Sequence, residues 1–200
     1  MSPVHPAFAF SALSRGLFWF SYIAWLGSEA WILSRDRRPA SGEARDRGSR
    51  RIIGVGFAAG LIAAFATGTR LRFGRIGLAP EILLALGLAL MWGGVAFRLW
   101  AVATLGRFFR TKVMVLDDHR LIRTGPYRWL RNPSYTGTVV TLMGIGVAIG
   151  NWVSLALLLG CALPAYAWRI EVEEDALRRR FGAEHEAYAK ARWALIPLVW

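Results

Sequence analysis

The sequence predicts an all-α, polytopic membrane protein of about five transmembrane helices, and three observations carry that reading. Of its 200 residues, 55% are hydrophobic. The mean hydropathy is +0.36, a balance rarely shown by a soluble domain with 19% charged residues. The apolar residues gather into five runs, each close to the ~20 residues a helix needs to cross a hydrocarbon core. The net charge of +12, carried almost wholly by arginine, falls in the gaps between those runs. A single integral membrane domain over 1–200 is expected, with three spans and a basic loop in 1–104. A second half, 105–200, then carries two motif-bearing segments, a helical hairpin and a cytosolic tail.

The first run, 16–33, is aromatic rather than leucine-like, and no Lys or Arg precedes Arg15, so it is expected to remain as a span rather than to act as a cleaved signal. The loop after it, "SRDRRPASGEARDRGSRR", has no apolar period and reads as solvated chain. In the second run, 52–69, Gly56 and Gly60 form a small-xxx-small pair suited to close helix packing within the molecule. The short loop "RLRFGR" leads to the third run, 79–104. The fourth and fifth, 134–150 and 152–168, meet at "GIGVAIGNWVS", where Gly150 and Asn151 supply a helical-hairpin turn. The fifth helix is expected to run on without a break to Phe181 and to stop at Gly182.

Arginine distribution sets the expected orientation, because cytoplasmic loops accumulate Lys and Arg. Seven arginines stand in the first loop and three in the second, while the third loop and the tail are again rich. The N-terminus is therefore expected outside and the C-terminus in the cytoplasm, with Trp31, Trp100, Trp152 and Trp168 as an interfacial belt. Anionic lipid headgroups account for the basic balance, and nucleic acid is not expected as a partner. The lone Cys161 excludes an intrachain disulfide or a cysteine metal cluster and reads as a small core residue. Glu29 and Arg98 lie near span ends and could pair, although snorkelling to the interface is the simpler account.

Two segments stand out chemically. In "RTGPYRWLRNPSYTG", residues 123–137, Gly125-Pro126 and Asn132-Pro133 fix two turns, and Pro133 is placed to begin a helix whose free N–H groups attract anions. Arg123, Arg128, Arg131, Tyr127 and Tyr135 surround that start. A positively charged loop anchored in the interface by Trp129 explains the same residues, so composition leaves both readings open. In the second segment, "WRIEVEEDALRRRFGAEHEAY", Arg169 and Glu173 are i,i+4 neighbours directly after the fifth span, with Glu174 one face round. A plain surface ion pair is the bland reading there.

Together, "DDHRLIRTGPYRWLRNPSYTG" and, after a helical hairpin, "RIEVEEDALRRRFGAEHEAY" resemble the C-terminal half of the isoprenylcysteine carboxyl methyltransferase family and, more loosely, the phospholipid methyltransferases. The resemblance covers about residues 105–197, and the first hundred residues match only as hydrophobic spans. It implies an integral membrane enzyme using S-adenosyl methionine in a cytosol-facing pocket, with a lipid-side entrance for the methyl acceptor. Cofactor-pocket positions carried over are His119, Leu121, Gly125, Tyr127, Arg131, Asn132, Pro133 and Tyr135, with Glu174 closing the site. Arg169 and Glu173 are the catalytic candidates. Where the family commonly has histidine, this chain has Asn132, which donates and accepts hydrogen bonds but cannot become cationic.

The residue chemistry suits that donor: arginine for a carboxylate, acidic groups for an ammonium and a sulfonium, aromatic faces for a purine. No metal-ligand cluster, Gly-Lys phosphate loop or dinucleotide fingerprint is visible in the sequence. Two other functions remain. Membrane sterol and lipid double-bond reductases, which bind NADPH, end in a similar arginine-proline-tyrosine motif, and a non-enzymatic membrane scaffold would need no site. The acceptor is lipid or lipidated, most simply a prenylcysteine-like carboxylate, and neither its identity nor the oligomeric state is written in the sequence.

Cysteines introduced at Ser41 and Ala183 are expected to react with impermeant reagents only from the cytoplasmic face. Labelling of the two from opposite faces would refute the five-span order.

Overall fold

The computed structural model describes residues 5–35, 42–44, 48–110, 114–116 and 121–196. Six helices follow one another: α1 (Ala12–Arg35), α2 (Ser49–Arg70), α3 (Pro80–Leu105), α4 (Pro133–Ile149), α5 (Trp152–Phe181) and α6 (Ala183–Lys190). Local chemistry sets their ends. Pro80 and Pro133 occupy first-turn positions, where a missing N–H costs no hydrogen bond. Asn151 caps α5 by accepting from the N–H groups of Val153 and Ser154. Gly150, at φ +77°, takes the left-handed turn that reverses α4 into α5. As the sequence suggests, α5 continues past its apolar part as one helix and ends at Gly182.

The tightest joint in the molecule is between α3 and α4. A Cβ on Gly94 would lie 2.5 Å from the Gly137 carbonyl oxygen and 2.6 Å from the Thr141 nitrogen, and one on Gly144 would lie 2.6 Å from the Gly87 carbonyl oxygen. Backbone thus meets backbone, which only glycine on the facing positions permits. A second joint forms where Gly56 and Gly60 of α2 pack on Cys161 of α5, so the small-xxx-small pair works within the molecule. The main core gathers Phe18, Trp25, Met91, Leu142, Ile145 and Leu158 from five helices, counting α2 through Ala64. A smaller cluster of Val139, Tyr166, Ile170 and Leu195 lies toward the site.

One end of the bundle holds residues 5–10, the loop 71–79 and the α4–α5 turn. The Asn151 side chain donates to the Phe73 carbonyl, and the Trp152 N–H donates to that of Gly74. The other end holds the C-terminus of α1, the N-terminus of α2, residues 106–110 and 121–132, and α6. Here the first loop departs from expectation, since Gly42–Ala44 (β1) pairs antiparallel with Met114–Leu116 (β2). Backbone pairing of this kind requires no apolar period and so leaves no pattern in the sequence. Ser41 lies outside the described residues.

Among the described residues, three helical stretches are long and apolar enough to cross a membrane: Arg51–Arg70, Pro80–Phe108 and Trp152–Phe181. The five expected runs are all helical, but α1 does not meet that standard, and α4 has 17 residues. At 1.5 Å per residue α4 is about 26 Å long, short of a ~30 Å hydrocarbon core.

Gly93 faces open space while its neighbour Gly94 faces the α4 backbone. Gly94→Ala is expected to destabilise the protein by about 3 kcal/mol. Gly93→Ala is expected to be neutral or to stabilise by up to about 1 kcal/mol. Thermal unfolding of the two variants in the same detergent checks both.

Candidate functional site

Glycine and proline shape the segment that enters the site. Gly125 adopts φ +55°, and a Cβ there would meet the Thr104 hydroxyl at 2.9 Å, so the loop is docked against the end of α3. A 3-10 turn over Gly125–Arg128 then buries Pro126 and Tyr127. After Leu130 the chain runs beside the tail. The Arg131 N–H donates to the Trp193 carbonyl at 2.8 Å, the Asn132 N–H to that of Ala194 at 3.1 Å, and the Thr136 hydroxyl to that of Leu195 at 2.6 Å. From α6 and two residues beyond it, the Tyr188 hydroxyl and Arg192 Nε both donate to the Tyr127 carbonyl at 3.1 Å. The C-terminal residues therefore strap the loop in place.

Across from this loop, α5 presents Arg169, Glu173 and Glu174. Tyr135 donates its hydroxyl to Glu173 Oε1 at 2.6 Å, while Arg169 Nε lies 2.8 Å from that oxygen and 3.1 Å from the tyrosine oxygen. The three form a closed triangle, with the Tyr166 ring 4.7 Å from that of Tyr135. Arg169 is only 2% exposed, so its contact with Glu173 is no surface ion pair. Beside it, Arg131 Nη1 is 2.5 Å from Glu174 Oε1. Burial, reinforced by the Glu173 charge, pushes the Tyr127 phenol far above its ordinary pKa and keeps it protonated. Burial likewise raises the Tyr188 phenol, to about 12.

These groups border a cavity of about 550 Å³. At its polar end stand Tyr127, Arg131, Asn132, Tyr135, Arg169 and Glu173. Apolar residues of α1 and α2, Trp25, Leu26, Leu33, Ile53, Phe57 and Leu61, line a further part of it, its apolar arm. Also lining the cavity, Arg98 Nε stands 2.6 Å from Glu29 Oε1, Nη2 donates to Oε2 at 2.7 Å, and Nη1 donates to the Ser134 hydroxyl at 2.8 Å. Pairing, not separate snorkelling, is therefore what these two residues do.

Most candidates from the sequence converge on the cavity, and they do so in different ways. Leu121, Tyr127, Arg131, Asn132, Tyr135, Arg169 and Glu173 line it. Glu174 stands behind Arg131 as its ion-pair partner, Gly125 shapes the loop, and Pro133 begins α4. His119 lies outside the described residues. Of the loop's other arginines, Arg123 pairs with Glu184 at the surface and Arg128 stacks over Trp129, which suits interfacial anchoring. Asn132 donates its side-chain amide to the Ala194 carbonyl at 2.9 Å, a task for an uncharged donor. Sequence reasoning overlooked Ser134, Tyr166 and the strap. The one available signal was Tyr166, a hydroxyl set in an apolar run three residues before Arg169.

A fit to S-adenosyl methionine can be judged from groups present. Arg131 Nε is buried and has no hydrogen-bond partner among the described residues, so the cavity's polar wall offers a donor for a carboxylate. Acidic Glu173 and the aromatic rings of Tyr127 and Tyr135 border the same space, matching a cationic and a purine group. The donor set fits.

The sequence profile of the isoprenylcysteine carboxyl methyltransferase family matches residues 85–179, which brings most of α3 into the likeness that the motifs placed at 105 onward. A probable protein-S-isoprenylcysteine O-methyltransferase of Oryza sativa subsp. indica is 33% identical over 115 residues, 56% of this chain and 60% of that protein. The protein-S-isoprenylcysteine O-methyltransferase of Saccharomyces cerevisiae is 32% identical over 124 residues, 61% of this chain and 52% of that protein. The chain thus spans a little over half the length of these curated relatives. Among solved structures, the eukaryotic intramembrane Ras methyltransferase ICMT (isoprenylcysteine carboxyl methyltransferase) superposes with a TM-score of 0.54 at 24% identity, covering 73% of this chain and 52% of that one, a likeness of fold. Two motifs that meet across one cavity, a family match that runs from α3 into α5, and a likeness of membrane fold make residues 85–179 similar to the isoprenylcysteine carboxyl methyltransferase family.

Proposed function

We propose that this integral membrane protein is an S-adenosyl methionine-dependent methyltransferase acting on a lipid or lipidated acceptor, with the carboxylate of a prenylcysteine-like substrate as the group methylated. The single observation that carries the reading is the lining of the cavity, which combines a cluster of arginine, glutamate and tyrosine with an apolar arm. A soluble substrate needs no such arm, and a purely lipid-binding protein needs no such cluster. Opening of the polar end toward the cytoplasm, with the N-terminus outside, completes the proposal and follows the arginine distribution.

When bound, the cofactor supplies an electrophilic methyl group. On the chain's side, Arg131 holds an anionic group through Nε while Glu174 fixes its Nη1, and the strap from Trp193 to Leu195 keeps Arg131 and Asn132 from shifting. The Tyr127 ring, kept neutral, forms an aromatic wall. A carboxylate acceptor is already ionised at neutral pH, so no general base is required and the work is positioning. Arg169, anchored at Nε by Glu173 and Tyr135, directs its positive charge at the acceptor carboxylate. Burial of these charges strengthens each contact relative to water.

Arg131→Ala is expected to weaken binding of S-adenosyl homocysteine, measured by calorimetry on folded protein, by about 1.5–3 kcal/mol, the worth of a hydrogen bond to a charged group. NADPH is expected to bind little. Tighter binding of NADPH than of S-adenosyl homocysteine would transfer the protein to the reductases.

Arg169→Lys and Arg169→Ala are expected to leave homocysteine-product affinity nearly unchanged and to lower turnover at saturating donor, with the lysine variant intermediate. Thermal melting of both variants separates loss of fold from loss of chemistry. Full turnover in Arg169→Ala would remove the role assigned to this residue.

A further inference from the structure

The ion pair Glu29–Arg98 lies outside the cofactor cluster, and the reaction as described makes no use of it. Its surroundings give it a distinct position. Toward one end of the bundle, α1 and α2 are pinned by rings: Trp19 and Phe65 stack at 5.6 Å, and Phe18 and Tyr22 meet Phe65 edge-on at 6.1 and 5.9 Å. Toward the other end the two helices separate, and the apolar arm fills the wedge between them. There α1 is held by a different partner, since its Glu29 reaches Arg98 of α3.

Arg98 in turn donates to the Ser134 hydroxyl and, at 3.1 Å, to the Ser134 carbonyl in the first turn of α4, next to Tyr135 of the cluster. The side chains of Glu29 and Arg98 are 24% and 11% exposed, and both face the cavity. Two charges taken this far from water gain little net stability over an apolar pair of similar size, because desolvation offsets their attraction. An apolar contact would hold α1 as well. What an ion pair adds is a fixed geometry and a polar group in the wall of the arm, one helical turn from Trp25 and Leu26 on one side and from Leu33 on the other.

We infer that Glu29 and Arg98 are positioning residues for the acceptor: the pair latches α1 against α3 and the start of α4 at the width of one long aliphatic chain, so that the acceptor's polar head is held beside Tyr135 and Arg169. This rests on the proposed lipid acceptor. Specificity for a long chain then depends on a charged pair that never touches the reacting atoms. With the latch released, α1 swings on its aromatic hinge, the arm loses its fixed width, and long-chain acceptors lose their advantage over short-chain ones.

Occupancy of the arm can be read without methyl transfer. Trp25 is buried and lines the arm, so N-acetylcysteine S-alkylated with a terminally brominated long chain should quench its fluorescence in nanodisc-reconstituted protein, and Trp25→Phe should remove that component. Glu29→Gln is expected to weaken this binding about tenfold, the worth of one charge-assisted contact. Glu29→Asp should fall between Glu29→Gln and wild type, while S-adenosyl homocysteine affinity holds at the wild-type value in both variants. In turnover assays Glu29→Gln should raise KM for a long-chain acceptor and leave KM for a short-chain one alone.

Equal quenching in Glu29→Gln and wild type, or a KM change of the same size for both chain lengths, overturns the latch. Absence of any Trp25 component in wild type overturns the arm and the latch together. Quenching that behaves as expected with no methyl transfer to any cysteine thioether leaves the latch standing and rejects the proposed reaction instead.

Discussion

The contact of the α3 backbone with the α4 backbone, made where facing glycines leave no side chain between them, sets the position of everything else at the site. A Cβ on Gly137 would lie 2.7 Å from the Arg98 nitrogen, so the first turns of α4 are pressed directly against the stretch of α3 that carries Arg98. That approach puts Ser134 within reach of the guanidinium and turns Tyr135, the next residue, toward α5. In hydrocarbon, where apolar side chains gain nothing by leaving lipid for one another, such close packing is a main source of helix association. Bulk on this interface would displace the start of α4, and the site with it.

Of the four arginines that line the cavity, three are each paired with a glutamate: Arg98 with Glu29, Arg131 with Glu174 and Arg169 with Glu173. A protein of net charge +12 thus balances these three within the site. The reason lies in the surroundings, since an unpaired charge in a medium of low dielectric costs several kcal/mol. Pairing also fixes direction. Glu173 and Glu174 come from one helix and hold arginines from two different segments, so a small rotation of α5 would disturb both sides of the site. The surplus cations stay at the surface, where Arg123 and Arg128 are exposed to the interface.

The tail takes part in the site as much as the motif does. Trp193, Ala194 and Leu195 offer carbonyls to Arg131, Asn132 and Thr136, and Leu195 is fully buried in the small core cluster. Asn132 gains its meaning from this strap. Its amide satisfies the Ala194 carbonyl, so the position works as a neutral fastening between loop and tail. The same geometry explains why the 3-10 turn at Gly125–Arg128 is stable. It is braced from α3 on one side and from Tyr188 and Arg192 on the other.

Sequence alone determined the helices and most of the chemistry, because those depend on local properties. Apolar run length located all five long helices, Gly150-Asn151 located the hairpin, and Gly182 the end of α5. Residue type and spacing left Tyr127, Arg131, Asn132, Tyr135, Arg169 and Glu173 open between a site and an interfacial loop, the family resemblance singled them out, and they do border one cavity. Tertiary structure decided what depends on approach between distant segments. The pairing of β1 with β2, the strap formed by residues with no motif of their own, and the partnership of Glu29 with an arginine 69 positions away leave no local trace. Hydropathy could say only that each helix was apolar. The separation of α1 from α2, which makes the arm, follows from which helix each one packs against, α1 on α3 and α2 on α5.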